Sequence, residues 1–199
     1  MTPIAMRRGA PSSKLVAAAI AMALAIFGFV LPQQAAAQNQ GAIRVAERLA
    51  SQAHSAIRQG NIGGVERAVN ASFNFGSWEK FLIGNYGDRF SGAQRSQFRR
   101  LLPAYLARLY ANQFKGGLDR EPVITGSRKA RGDIIVSANV PRSRGRALEV
   151  DYRIRGSRVI DFMVGGVSFL LLKRDEFSAI LRKPDGAAEL IAFLQRYTG

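Results

Sequence analysis

Apolar positions in the first part of the chain recur at spacings of three and four, which is the period of amphipathic helices. One such helix is predicted from Ala42 to Gln59, where Gly60 and Asn61 end the pattern. A shorter helix is predicted over residues 63–70, and Asn74 is a candidate cap for the apolar segment after it. The amino-terminal part of the domain is therefore predicted to be helical.

The longest predicted helix begins at Ser91, which forms a capping box with Gln94, and extends to about Lys115. Pro103 lies inside this helix, where proline removes a backbone donor and clashes with the carbonyl group four residues earlier. A kink or a break is therefore expected near Arg99. The apolar stripe of the helix consists of Phe98, Leu101, Leu102, Tyr105, Leu106, Leu109, Tyr110 and Phe114.

From residue 123 onward, apolar positions alternate with polar ones, which is the period of a strand with one buried face. Strands are predicted over residues 123–128, 134–140, 148–155 and 159–164. Gly156 and the residue after it are expected to form the tight turn of a hairpin between the last two strands. The simplest arrangement is four antiparallel strands.

Two closing helices are predicted after the glycine pair at residues 165–166. The first carries apolar residues at helical spacing from Phe169 to Leu181, and the second opens at Pro184. A helical half, a meander of strands and two final helices together predict the α+β class, with helices packed against one face of the sheet.

The amino terminus has the layout of a secretory signal peptide. Arg7, Arg8 and Lys14 precede an unbroken apolar run over residues 15–31, and a small-residue cleavage site ends at Ala37. The run is short for a membrane span, which needs about 20 apolar residues. We therefore expect export and cleavage after Ala37, with a retained anchor as the alternative.

Residues 1–37 are thus assigned to the signal peptide and residues 38–199 to one domain, which is long enough to bury one sizeable core. Cleavage would remove three of the 29 basic residues and leave a formal charge of +12, so an anionic neighbour is expected. The absence of cysteine excludes disulfides, thiol chemistry and cysteine metal sites. His54 is the one histidine, and without a partner it is expected to be a surface or half-buried structural residue. No metal site and no cofactor are predicted.

Several short stretches resemble one family of proteins. They comprise residues 150–154 (VDYRI), 166–168 (GVS), 177–181, 83–86 (IGNY) and 91–95 (SGAQR). These stretches resemble the MlaC/Ttg2D family of periplasmic phospholipid-binding proteins, over nearly the whole chain that follows the signal peptide. The resemblance implies a curved four-stranded antiparallel sheet wrapped by helices, with acyl chains held in an apolar pocket between the two layers.

The chain departs from the family pattern at several positions. Asn74 stands where the family has an acid, Gly87 stands where it has tryptophan, and Pro103 interrupts the long helix. Leu172 and Lys173 replace an Asn-Tyr pair. These differences are typical of a divergent branch, and a related branch is associated with hopanoid-producing bacteria. The expected cargo is therefore a phospholipid, with a hopanoid or another polycyclic lipid as the alternative.

The resemblance also implies a role and partners. It implies a periplasmic carrier, not an enzyme, that shuttles lipid between an outer-membrane lipoprotein complex and an inner-membrane ABC transporter complex with its substrate-capturing subunit. A monomer that touches membrane surfaces transiently is expected.

Residues on the inward faces of the long helix and of the last two strands are the candidates for lining the lipid pocket. For each of them, plain core packing is the competing interpretation. The candidates are Phe98, Leu102, Tyr105, Leu106, Leu109, Val150, Tyr152, Phe162 and Val164.

Two other classes of function compete with the carrier. An enzyme on a similar curved sheet would use Asp151 or Asp161 beside Tyr152, but the strand alternation places both acids on the outward face, and deep burial of either would favour catalysis. Nucleic-acid binding would suit a sequence pI of about 11.3, yet the chain has no recognisable binding module and is expected to be exported.

The basic residues fall in two groups. Each group is either simply solvated or docks on anionic headgroups or an acidic partner. The first group is Arg89, Arg95, Arg99, Arg100 and Arg108, and the second is Arg128, Lys129, Arg131, Arg142, Arg144 and Arg146.

Overall fold

The computed structural model describes residues 30–116, 120–143 and 145–199, with side chains from Asn39 onward. Most of the expected signal peptide and its apolar run lie outside the described residues. The residues from Asn39 to Gly199 form a compact unit. None of the described helices has a stretch that is long and apolar enough to cross a membrane.

Three helices and a short 3₁₀ segment form the first part of the described chain. Asn61 caps the second helix by accepting a hydrogen bond from the Gly64 amide. Asn74 caps the third by accepting from the Ser77 amide, which confirms the predicted cap. The elements are α1 (Val30–Arg58), α2 (Ile62–Ser72), α3 (Phe75–Ile83) and the 3₁₀ segment Gly84–Arg89.

Helix α4 spans Gly92–Phe114 and begins with the predicted capping box between Ser91 and Gln94. The helix continues without interruption through Pro103, so of the kink or break expected near Arg99 the break is ruled out. A proline inside a helix costs about 3 kcal/mol relative to alanine, and the burial of large side chains along α4 offsets that cost. The prediction that α4 is the longest helix is also wrong, since α1 has 29 residues and α4 has 23.

The sheet is an open antiparallel meander in which each strand pairs with the next one in sequence. The four long strands confirm the prediction, but a fifth strand of two residues was missed, because two residues cannot display a period. Gly156 forms the turn between the third and fourth strands at a φ of +60°, a conformation that favours glycine. The strands are β1 (Val123–Ala130), β2 (Asp133–Val140), β3 (Leu148–Arg155), β4 (Arg158–Val164) and β5 (Val167–Ser168).

The register aligns one row of side chains across the middle of the sheet. Val136 pairs with Tyr152, which pairs with Phe162, and all three are completely buried. We call the face that carries this row the inner face. On the opposite, outer face the expected polar alternation is incomplete, because Ile135 and Asp133 are buried there as well. A β-bulge between Arg153 and Ile154 shifts the pairing with β4, and bulges of this kind bend a strand.

Two helices close the fold, α5 (Phe169–Leu181) and α6 (Gly186–Thr198). Helix α4 packs against α2 and α6, and α3 packs against α5. Gly186 is required where α6 begins, because a Cβ atom there would lie 2.6 Å from the Ile180 carbonyl oxygen and 2.7 Å from Cα of Leu181. These helices bring aromatic side chains onto the inner face of the sheet.

Candidate functional site

A cluster of aromatic rings fills the space between α4 and the inner face of the sheet, with Phe162 at its centre. The Phe162 ring stacks on Phe169, with 4.4 Å between centroids and 21° between planes. Helix α4 contributes Tyr110 at 5.6 Å and Phe114 at 6.4 Å from the Phe162 centroid. The chain around the start of α3 contributes the remaining two rings, Phe73 at 6.0 Å and Trp78 at 6.5 Å.

The interior contains a pair of buried phenols. The hydroxyl oxygens of Tyr110 and Tyr152 are 2.6 Å apart and share one hydrogen bond between helix α4 and strand β3. Burial raises the pKa of Tyr152 to about 12, although the hydrogen bond with Tyr110 acts in the opposite direction. Burial also raises the pKa of Tyr110 well above its usual value. Both phenols are therefore neutral at physiological pH, and the interior carries no charge from them.

The sequence-predicted lining residues are all inside the protein, but they face different neighbours. Tyr152 and Phe162 belong to the cluster just described, whereas Phe98 and Tyr105 contact aromatic rings of α5 and α6 such as Phe177. The remaining candidates divide into Leu102, Leu106 and Val150, which are buried, and Leu109 and Val164, which are half-buried. Their contact with lipid stays a prediction.

Sequence reasoning missed two residues of the Phe162 cluster on α4. Tyr110 and Phe114 belong to the apolar stripe of the predicted helix, but the stripe alone did not separate the part that faces the sheet from the part that faces α5 and α6. Position along α4 decides which neighbours its apolar residues contact, since the last two turns carry the rings that reach Phe162.

A cleft of about 530 Å³ opens at the carboxyl-terminal end of α4, beside the connection between β2 and β3. Phe114 forms part of the wall of this cleft and also contacts Tyr110 and Phe162 in the interior. The other apolar wall residues are Val140 and Leu148. The cleft therefore ends directly against the aromatic cluster.

The outer part of the same cleft is polar and positively charged. Lys115 and Arg142 line it together with Asn112, Gln113 and Ser143. The Ser143 amide donates a hydrogen bond to the Gly116 carbonyl, which ties the loop after β2 to the end of α4. The polar end of an amphipathic molecule would thus contact cations at the mouth of the cleft, and its apolar end would contact the aromatic rings.

The family model described as "MlaC protein" matches residues 40–196 of this chain. The chain belongs to the MlaC family. A solved structure with a similar fold is a phospholipid-binding protein from Ralstonia solanacearum in complex with a phospholipid. The TM-score is 0.66 at 18% sequence identity, and the match covers 81% of this chain and 96% of the other. No curated protein matches the chain.

The two acids that an enzyme would need are present in this MlaC-family chain, but they do not face Tyr152. Asp151 is partly exposed and accepts hydrogen bonds from Ser137 and Arg128. Asp161 is buried, so the prediction of an acid that simply points into solvent is wrong for this residue. Deep burial of this acid is the observation that would favour catalysis, so the role of Asp161 has to be read from the contacts of its carboxylate.

Asp161 holds the start of α5. One carboxylate oxygen accepts from the Ser168 hydroxyl at 2.6 Å, and the other accepts from the Leu170 amide at 3.1 Å. Burial raises the pKa of Asp161, and these hydrogen bonds only partly oppose that rise. Both oxygens are engaged in anchoring α5 to β4, so the contacts assign Asp161 a structural role.

The Asp161→Asn variant is expected to match the parent or to exceed it slightly in free energy of unfolding at neutral pH, whereas Asp161→Ala should lose about 1–3 kcal/mol. A raised folded-state pKa means that the stability contributed by this group declines as the pH rises from 3.8 through the folded pKa. Asparagine removes that charge and keeps an acceptor for the Leu170 amide. Urea unfolding of both variants checks this, and equal losses for the two would contradict it.

Other polar groups take structural positions. The prediction of a surface or half-buried side chain is wrong for His54, which is only 4% exposed. The side chain is buried because His54 lies one turn after Ala50, on the buried stripe of α1. Among the described residues, no group of three or more histidine and acidic side chains could hold a metal ion.

The first predicted basic group is largely engaged in contacts within the chain, although the Arg95 and Arg99 side chains remain 45% and 58% exposed. Arg95 and Arg99 form ion pairs with Glu79 at 2.7 Å, Arg89 donates to the carbonyl group of Leu181 at the end of α5, and Arg108 donates to that of Thr198. In the second group Arg128 pairs with Asp151, and Arg144 lies outside the described residues.

Proposed function

We propose that this MlaC-family protein is a lipid carrier, which binds the acyl chains of a phospholipid between α4 and the inner face of the sheet. The observation that carries the proposal is the position of Phe114, which forms both the wall of the cleft and the edge of the aromatic cluster. Family membership and the phospholipid bound by the Ralstonia solanacearum protein of similar fold support it.

An enclosed site for acyl chains has a clear physical purpose. Each methylene group exposed to water costs about 0.8 kcal/mol, so two chains with roughly 30 methylene groups would cost on the order of 20 kcal/mol in water. A carrier needs to enclose the chains, whereas the phosphate can stay at the mouth, where it keeps its hydration. The Lys115 and Arg142 side chains are placed to accompany a phosphate there.

Acyl chains would enter by displacing side chains, because the interior is filled by rings in the state described. The cleft volume of about 530 Å³ falls within the range of about 300–1,000 Å³ typical of ligand pockets. In this proposal Phe114 and Tyr110 turn away first, and the chains then reach Phe162 and Tyr152. The residues proposed to line the occupied site are Tyr110 and Phe114 together with Phe98, Leu102, Tyr105, Leu106, Leu109, Val150, Tyr152, Phe162 and Val164.

The wider role we propose is transport across the periplasm. After removal of residues 1–37, the single domain 38–199 would act as a monomer that exchanges lipid between an outer-membrane lipoprotein complex and the substrate-capturing subunit of an inner-membrane ABC transporter complex. The signal-peptide layout and the membership in the MlaC family support this role.

The proposal is tested by the lipid that the protein retains. Residues 38–199 would be expressed with a periplasmic signal, purified without detergent, and analysed by native mass spectrometry followed by lipid analysis of the denatured protein. Stoichiometric phospholipid is the expected result. A bound hopanoid would support a lipid carrier but would show that the cargo is not a phospholipid. Protein that is repeatedly lipid-free and takes no lipid from liposomes would refute the proposal.

The Leu148→Glu variant is expected to reduce bound lipid by about tenfold or more, which corresponds to about 1.4 kcal/mol. Leu148 is half-buried in the cleft, and a carboxylate there would lose hydration and repel the lipid phosphate when acyl chains enter. Lipid per protein in the same purification measures the effect. The matched control is Ile62→Glu, which places the same charge at an exposed site on α2 and should leave the lipid content unchanged.

A further inference from the structure

Three exposed apolar side chains lie where α3 approaches the first turn of α5. Phe81 is 37% exposed, Leu171 is 50% exposed and Leu172 is 48% exposed. Phe81 and Leu171 line one groove, and Leu172 follows directly in the same helix. Single exposed apolar residues are ordinary, whereas a group of them marks an interaction surface. We call these three residues, with Lys80 and Arg174, the α3–α5 patch.

The groove beside the patch has a volume of about 800 Å³ and runs along the outer face of β3 and β4. Ile160 and Met163 contribute apolar surface from β4, on the side of the sheet opposite the Phe162 cluster. The groove is thus separate from the proposed lipid interior.

Positive charge dominates this surface. Lys80 lines the groove, and the guanidinium carbon of Arg174 lies 4.8 Å from the centroid of the Phe81 ring. The opposite wall carries Arg153 and Arg155, whose acidic partner, Asp133, is almost completely buried.

The acids near the patch offer little exposed negative charge to the groove. Both oxygens of Asp161 are occupied by the start of α5. Asp175, the exposed acid next to Arg174, lines a second cleft beside Tyr86 together with that arginine. Glu176 pairs with Lys173 at 2.6 Å. The patch therefore combines apolar side chains with cations that remain accessible to an anionic partner.

We propose that the α3–α5 patch docks the protein on an anionic lipid surface. The exposed leucines would enter the boundary between headgroups and acyl chains, while Lys80 and Arg174 would face lipid phosphates. A lipid surface fits better than an acidic helix, because the most exposed apolar residues stand at the rim of the groove, where they can enter a headgroup layer, and the cations Lys80 and Arg174 flank them on long side chains. This docking function lies beyond the proposed carriage of lipid in the interior.

The experiment measures co-sedimentation of residues 38–199 with vesicles of neutral phosphatidylcholine alone or with about 30% phosphatidylglycerol. Binding to the anionic vesicles only is expected, with a decline when salt rises from about 0.05 M to about 0.5 M. The double variants Leu171→Asp/Leu172→Asp and Lys80→Glu/Arg174→Glu should each lower the partition coefficient by about tenfold or more. Aspartate in the first turn of α5 suits the positive end of the helix dipole, so the first variant should fold.

The matched control is the double variant Ile62→Asp/Arg100→Glu, which changes an exposed apolar residue and an exposed cation outside the patch. It should bind vesicles more strongly than either patch variant, although it also carries a reduced net charge. Patch variants that bind as the control does would overturn the proposal, and so would a parent protein that ignores anionic vesicles but binds an acidic amphipathic peptide. Retained lipid, measured on the same preparations, should be unchanged by the patch variants, so failure of docking and failure of lipid carriage are distinguishable.

Discussion

Replacement of Phe162 by alanine is expected to lower the free energy of unfolding by about 3–5 kcal/mol. The ring is completely buried and contacts five other aromatic rings from α4, the start of α5 and the chain around the start of α3. Its removal loses the transfer free energy of the ring and leaves a cavity that the surrounding structure closes only in part. Among the described residues of the inner sheet face, Phe162 has the most aromatic contacts with helices.

The measurement is urea unfolding of lipid-free protein, followed by circular dichroism and by the fluorescence of Trp78, the only tryptophan. Its indole is 6.5 Å from the Phe162 ring, so the emission also reports the loss of the neighbouring ring. Phe81→Ala is the matched control, because the same truncation at a ring that is 37% exposed removes less buried surface and should lower the free energy of unfolding by only about 1–2 kcal/mol. Equal losses for the two variants would show that the Phe162 cluster does not organise the core.

The second large effect is expected at Asp133, whose replacement by asparagine should cost about 2–3 kcal/mol at neutral pH. The carboxylate is 1% exposed and forms ion pairs with Arg153 at 2.6 Å and Arg155 at 2.7 Å. Loss of a buried charge partner typically costs about 3–5 kcal/mol, and the lower figure applies here because both arginines are partly hydrated.

The effect of Asp133 should depend on pH. Burial raises the pKa of this carboxyl, but the hydrogen bonds and charges of Arg155 and Arg153 outweigh it and hold the pKa below its ordinary value of 3.8. A lowered pKa stabilises the fold above the ordinary value, and that stabilisation is lost as the pH falls through the folded pKa. The difference in free energy of unfolding between the parent and Asp133→Asn should therefore be largest at neutral pH and become smaller in acid.

Urea unfolding at several values between about pH 7 and about pH 3 measures this difference. Asp88→Asn, at an exposed aspartate, is the control and should stay within about 0.5 kcal/mol of the parent at neutral pH. A difference that is the same at every pH would show that the ion pairs with Arg153 and Arg155 do not account for the loss.

The aromatic site was partly predictable from sequence. Alternation along β3 and β4 identified Tyr152 and Phe162 as inward, and the register confirms that they lie side by side on the buried inner face. The stripe of α4 identified Tyr110 and Phe114 as apolar positions, but only the packing of the helix against the sheet joins Tyr110 to Tyr152 by a hydrogen bond.

The sequence by itself determined the features that depend on neighbours along the chain. The cap at Asn74 and the capping box at Ser91 and Gln94 need contacts only three residues apart. The strand periods and the turn at Gly156 are equally local, and the α+β class follows from their order.

Tertiary structure decided what depends on distant partners. It kept α4 continuous through Pro103, because packing energy exceeds the local cost of the proline. It buried Asp161 under the start of α5 and Asp133 beside two arginines, although the period of two alone would place both acids in solvent. A local pattern fixes which way a side chain points from its own strand or helix, whereas the element that covers it is chosen by long-range packing.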